Sequence, residues 1–122
     1  KTLIQLVKNP VGATEVMKTI DLESNILVGV NDNIADGRDV SWIKDAEFEL
    51  LKDAKHEVVV TGIRSKELAE RLENAGCRIK VIPEVEKAVD YISKTADNNI
   101  TMLPNYTVFM QISKMKGLKK CC

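Results

Sequence analysis

Residues 57–82, EVVVTGIRSKELAERLENAGCRIKVI, carry the pattern that decides the fold class. EVVVTG from Glu57 is a short apolar run rich in β-branched residues and reads as a buried strand. In the following SKELAERLENAG, Ser65 is placed to cap a helix, Leu68 and Leu72 share one face, and Gly76 supplies a left-handed stop. RIKVI from Arg78 then reads as a second strand.

The same alternation extends in both directions. LIQLV from Leu3, ILVGV from Ile26 and ITML from Ile100 repeat the strand signature. PVGATEVMKTI starts on Pro10, a good first-turn residue, and repeats apolar side chains at Val16, Met17 and Ile20. PEVEKAVDYISKT puts Val85, Ala88, Val89 and Ile92 on one stripe, and YTVFMQISKMKGL does so with Phe109, Ile112 and Met115. SWIKDAEFELLKDA reads as helical toward its end, with its first half open to either state. Strands alternating with helices predict an α/β, Rossmann-like domain, its mostly parallel sheet covered by helices on both faces.

A chain of 122 residues suffices for one domain with a real core. Charged residues make up 30% of it and balance to a formal net charge of +0, so no global field draws it to nucleic acid or an anionic membrane. No apolar run approaches the roughly 20 residues that span a bilayer, and the chain reads as cytosolic. Cys77, Cys121 and Cys122 form neither a disulfide framework nor a CxxC metal pattern. Lys1 falls inside a strand-like pattern, which suggests a piece of something larger, and the tail from 119 to 122 reads as frayed. Neither a GxxxxGK[ST] phosphate loop nor a GxGxxG turn is present, and GxSxG and HExxH are also missing. The single histidine, His56, precedes a strand start and reads as a surface residue at the edge opposite the candidate site.

In such sheets, ligands sit beyond the carboxyl ends of the strands. Three polar segments fall there: KNPVG after the first strand, NDNIADGRD after the second and LPNYT after the fifth. In the first, Asn9 is placed to cap the helix that Pro10 starts, while Lys8 and Asn9 also suit a phosphate or carboxylate. In the last, Asn105 is placed as a cap, and Tyr106 suits packing or stacking. The second packs Asp32, Asp36 and Asp39 among Asn31, Asn33, Gly37 and Arg38 and ends at Trp42, a core or interface anchor. Turns favour these residue types without any function. Three chemistries are open to the carboxylates: Mg²⁺ ligation by Asp32 and Asp36, a surface ion pair at Asp39, or orientation of a histidine as in a triad. With no histidine nearby, the last needs one from another polypeptide.

LVKNPVG, NDNIADGRDVSWIKDAEFE, VVVTGIRSKELAERL and LPNYT follow one another as in the carboxyl-terminal domain of MurT-type proteins, the Mur-ligase-like subunits of lipid II isoglutaminyl synthase. This resemblance covers Leu3 to about Ile112. It implies a Mur ligase C-terminal type of domain over 1–118, which closes over nucleotide and substrate, with an ATP-binding central domain upstream that this chain lacks. It further implies a GatD-type glutaminase partner in a heterodimer, glutamine reaching the enzyme through that partner, and lipid II as the acceptor amidated on D-glutamate at the inner face of the membrane. ATP and Mg²⁺ serve the complete enzyme, and neither is expected to bind this domain tightly. The aspartate ending DGRD, Asp39, would complete the partner's Cys-His site. Lys8, Asn9, Asn31, Asp32 and Asn33 would lie on the nucleotide and substrate side, with Asp36, Gly37, Arg38 and Trp42 supporting the interface loop. The family pattern has an aromatic residue after WI where this chain has Lys44. A free-standing Mg²⁺ or small-ligand module and a Mur-type peptide ligase domain are the alternatives.

Overall fold

Five short segments, three to five residues long and rich in apolar residues, become strands in the computed structural model, which describes residues 2–37 and 39–115. The expectations for Arg38 and for the 119–122 tail lie outside the described residues. The strands are β1 (Thr2–Ile4), β2 (Asn25–Gly29), β3 (Val58–Thr61), β4 (Ile79–Val81) and β5 (Ile100–Pro104). The helices are α1 (Pro10–Met17), α2 (Trp42–Asp45), α3 (Ser65–Asn74), α4 (Val85–Thr95) and α5 (Tyr106–Ser113), with 3-10 turns at Ile34–Asp36 and Phe48–Leu51. All pairings are parallel, in the order β1-β5-β2-β3-β4.

Strand placement runs one way from β2 to β4 and then jumps back, inserting β5 between β1 and β2. With crossovers of one hand, that reversal moves the helices to the other face of the sheet. Side chains alternate across β2 accordingly. Ile26 and Val28 pack with Met17 of α1, Ile43 of α2 and Leu68 and Leu72 of α3, whereas Leu27 packs with Val85, Ala88, Val89 and Ile92 of α4 and Val108 and Ile112 of α5. The α/β fold with helices on both faces is thus observed, with a sheet that is parallel throughout.

Several local readings need correction. Ser65 is the first residue of α3 and is buried, and Arg64 takes the cap position. Gly76 does stop that helix, at φ 92°, and the Cys77 and Gly76 amides bond the carbonyls of Leu72 and Glu73, closing a Schellman turn. In the 41–54 segment the α-helix occupies the first half and only a 3-10 turn the second, where Phe48 and Leu51 are buried. On α5 the buried pair is Val108 and Ile112 rather than Phe109, because Gly29 leaves room for Val108. A Cβ at Gly29 would lie 2.8 Å from Val108 Cγ1. His56 is half-buried at the amino edge, its Nε2 3.4 Å from Asp97 Oδ1.

Candidate functional site

The carboxyl ends of β1, β5 and β2 are neighbours, so the three polar segments meet at one edge. From β2 the chain leaves toward the face covered by α2, and from β5 toward the opposite face covered by α5. Adjacent strands that part in this way open a crevice. Here the crevice is bridged by two buried asparagines: Asn31 N donates to Asn105 Oδ1 (3.1 Å), and Asn105 Nδ2 donates to the Asn31 carbonyl (2.8 Å). Asn105 therefore does not cap α5 with its own side chain, as its place before the helix suggests.

A residue from the other loop takes over that cap. Asp36 Oδ1 accepts from the Thr107 amide (2.8 Å), and Asp36 Oδ2 accepts from the Thr107 hydroxyl (2.5 Å) and from the Asn33 amide (3.1 Å). A carboxylate at this position satisfies an otherwise unpartnered first-turn amide and complements the positive end of the helix dipole. Asn31, only 2% exposed, uses both amide hydrogens, on Thr107 Oγ1 (2.9 Å) and Gln111 Oε1 (3.0 Å), while its Oδ1 accepts from the Ile63 amide (2.8 Å). Asn33 Nδ2 adds a bond to Thr107 Oγ1 (3.1 Å). Asp32 pairs with Arg64 (Nε to Oδ2, 2.9 Å), and Arg64 also pairs with Glu67.

Asp39 differs from its two neighbours. It is exposed, and its Oδ1 accepts from the Ser41 amide two residues on (2.9 Å), an Asx turn that leads into α2. The Ser41 amide first, then the Ser41 hydroxyl, hold its carboxyl below the ordinary value of 3.8, so it is ionised at neutral pH. Arg71 of α3 secures α2 in turn. Its guanidinium donates to the carbonyls of Ile43 (3.2 Å) and Ala46 (2.8 Å), grips both Glu49 oxygens (2.9 Å each) and lies over the Phe48 ring. Gly37, at φ 80°, turns the chain between Asp36 and Asp39.

Two clefts flank this network. One of about 830 Å³ lies toward α4 and α5, beside Asn33, Ile63, Tyr106 and Met110. The other, about 390 Å³, brings Lys8 together with Leu6, Asp36, Trp42 and Tyr106. Trp42 is half-buried, packing on the core beneath α2 while lining that cleft. Asn9 turns away from it to cap α1, its Oδ1 accepting from Gly12 N at 2.7 Å. Lys44 is exposed beside a separate hollow between α2 and α3. The donor set does not fit a Mg²⁺ held by Asp32 and Asp36: each carboxylate is engaged by a different protein partner, and among the described residues no group of three or more His, Cys, Asp or Glu is arranged to hold a metal ion.

Sequence reading passed over Thr107, Gln111, Arg64 and Arg71, which build the site's frame. Thr107 ends the LPNYT turn, but its value as a junction depends on a loop 71 residues away. Arg71 bears a weak signal, since a helix reading ELAERLEN shows nothing to set one charged residue apart from the rest.

Comparison with known proteins places this geometry in a family. The family described as MurT ligase C-terminal matches residues 6–109. In two strains of Staphylococcus aureus, lipid II isoglutaminyl synthase (glutamine-hydrolyzing) subunit MurT is 38% identical over 117 residues, covering 88% of this chain and 26% of the relative. The subunit of the same name from Streptococcus pneumoniae is 35% identical over 118 residues, covering 90% of this chain and 26% of the relative. The chain thus spans about a quarter of the length of the curated relatives it matches. A match running from just beyond β1 into α5, and so through all three loops of the carboxyl edge, shows that the chain belongs to the MurT ligase C-terminal family.

Proposed function

We propose that this domain is part of a glutamine-hydrolysing lipid II isoglutaminyl synthase, and that it supplies Asp39 to the Cys-His site of a GatD-type glutaminase partner. The observation that carries this reading is the contrast among three aspartates in one loop. Asp32 and Asp36 are engaged inside the protein, whereas Asp39 is exposed, ionised and held by a turn between two anchored ends. A carboxylate that must reach an imidazole on another polypeptide needs those properties.

In this role Asp39 accepts a hydrogen bond from the partner's imidazole N–H, which sets the tautomer whose other nitrogen faces the thiol. As the thiol proton moves to the imidazole and sulfur attacks the glutamine carboxamide carbon, the carboxylate stabilises the imidazolium. The imidazolium then gives its proton to the departing nitrogen as the C–N bond breaks, ammonia passes to the ligase site, and water hydrolyses the remaining glutamyl thioester to glutamate and free thiol. ATP with Mg²⁺, held elsewhere in the complete enzyme, supplies activation of the D-glutamate α-carboxylate of the lipid II stem peptide, and D-isoglutamine is the product. The domain closes over that site with its carboxyl edge, where the exposed Lys8 ammonium is the group best suited to meet a phosphate and Asn31 and Asn33 line the neighbouring cleft. Among the described residues no helix is long and apolar enough to cross a membrane, and the complete enzyme meets its lipid-linked substrate at the inner face.

The test is glutamine hydrolysis by the glutaminase bound to a full-length subunit carrying Asp39→Asn. A fall of up to about 10⁴-fold in kcat is expected while the complex still forms. An unchanged rate removes Asp39 from the triad.

A further inference from the structure

We infer that Thr107 is a positioning residue for the Asp39 carboxylate, an inference that rests on the glutaminase role proposed above. A threonine hydroxyl has one hydrogen to donate and two lone pairs to accept with. Thr107 uses all three: it donates to Asp36 Oδ2 and accepts from Asn31 Nδ2 and Asn33 Nδ2, while its backbone amide holds Asp36 Oδ1. One side chain thus gathers three residues of the loop after β2 onto the first turn of α5.

Apart from the Thr107 amide and the Asn33–Asp36 bond, little else holds the stretch from Asn33 to Gly37. The Ile34–Asp36 turn buries none of its residues, and Ile34 is 83% exposed, so apolar packing does not fix it. Gly37 then turns the chain in open space, with no atom within 4 Å of where a Cβ would stand. Only two residues separate the Asp36 clamp from Asp39, and beyond Asp39 the chain is held independently through α2 and Arg71. The Asp39 carboxylate is therefore slung between two anchors, and Thr107 sets the one on the α5 side. Losing its hydroxyl lets the Asp36 end drift while α2 stays in place. A displacement of about 1 Å in a catalytic group costs roughly 10²-fold in rate.

The experiment uses the full-length subunit bound to its glutaminase, with glutamine hydrolysis measured for Thr107→Val, Thr107→Ser, Asp39→Asn and the Asp39→Asn, Thr107→Val double variant. Thr107→Val is expected to lower kcat by about 10- to 100-fold with KM for glutamine and complex affinity little changed. Thr107→Ser, which keeps the hydroxyl, is expected to recover activity to within about threefold of wild type. In the Asp39→Asn background the Thr107→Val loss should vanish, because residues acting through one group are not additive. A merely structural role would move the melting temperature and leave that coupling at zero. If Thr107→Val does not fold, Asn33→Ala, which removes one exposed amide from the same hydroxyl, carries the same cycle. A wild-type rate for Thr107→Val, or losses that simply multiply, overturns the clamp even when Asp39→Asn collapses. A wild-type rate for Asp39→Asn removes the glutaminase reading itself and the role of Thr107 with it.

Discussion

Replacing Asn31 by alanine tests whether the bridged crevice is the structural keystone of the carboxyl edge. The side chain makes three bonds, to the Ile63 amide, the Thr107 hydroxyl and the Gln111 carbonyl. Gln111 is half-buried and can turn to water, and Thr107 keeps its bonds to Asn33 and Asp36, so these two losses amount to about 0.5–1 kcal/mol each. The Ile63 amide loses its acceptor in a part-buried position, a penalty of about 1–2 kcal/mol. The sum is about 2–4 kcal/mol, a large share of the stability of a small domain. The two bonds between the Asn31 backbone and the Asn105 side chain survive the change, so the fold persists in weakened form. Urea denaturation of the purified chain should show an unaltered slope and a midpoint lowered by about 1–4 M, given slopes of about 1–2 kcal/mol per molar for domains of this size. A midpoint within about 0.3 M of wild type would refute the reasoning, since it would mean that water replaces all three bonds at no cost.

Asn9→Ala should remove the α1 cap and about 1 kcal/mol of stability, lowering Tm by about 3–5 °C in a calorimetric scan. Gly62→Ala should be far more damaging than Gly37→Ala. Both positions have positive φ, worth about 1–2 kcal/mol against an L-residue, but a Cβ on Gly62 would stand 2.4 Å from the Val30 carbonyl oxygen, whereas Gly37 faces open space. Paired urea titrations that gave equal losses would contradict this. For pH, the bonds from Arg71 hold the Glu49 carboxyl below its ordinary value of 4.5. Between the unfolded and folded values the unfolded chain binds more protons, so this contribution is complete above about pH 4.5 and is lost as pH falls through the folded value. Glu49→Gln should flatten the acid limb of a Tm-against-pH curve recorded from pH 6 to pH 3, and an identical limb would exclude the linkage.

Much of the site lay within reach of sequence reading, although its wiring did not. Strand and helix alternation alone puts the three loops beyond the carboxyl ends of their strands, and the Asn9 cap is legible because its partner is only three residues away. Asn105 has equally good local credentials as a cap but bonds Asn31, 74 residues away, and Ser65 lies one position inside α3, where Arg64 takes the cap position. The loop's three aspartates are chemically equivalent on paper. Which of them remains available is decided by Arg64, 32 residues beyond Asp32, and by Thr107, 71 residues beyond Asp36.

By itself the sequence determined the α/β class, the five strands and the helix stops, because apolar periodicity and capping act over a few residues and survive in any context that buries one face. The tertiary structure alone decided the β1-β5-β2-β3-β4 order, and with it the meeting of three loops at one edge. It also decided the trans-cap of α5 by Asp36 and the isolation of Asp39 as the exposed carboxylate of its loop. Those outcomes depend on which partners satisfy buried polar groups across long chain separations. No local pattern records that choice, since every buried donor must find an acceptor but none carries its partner's address.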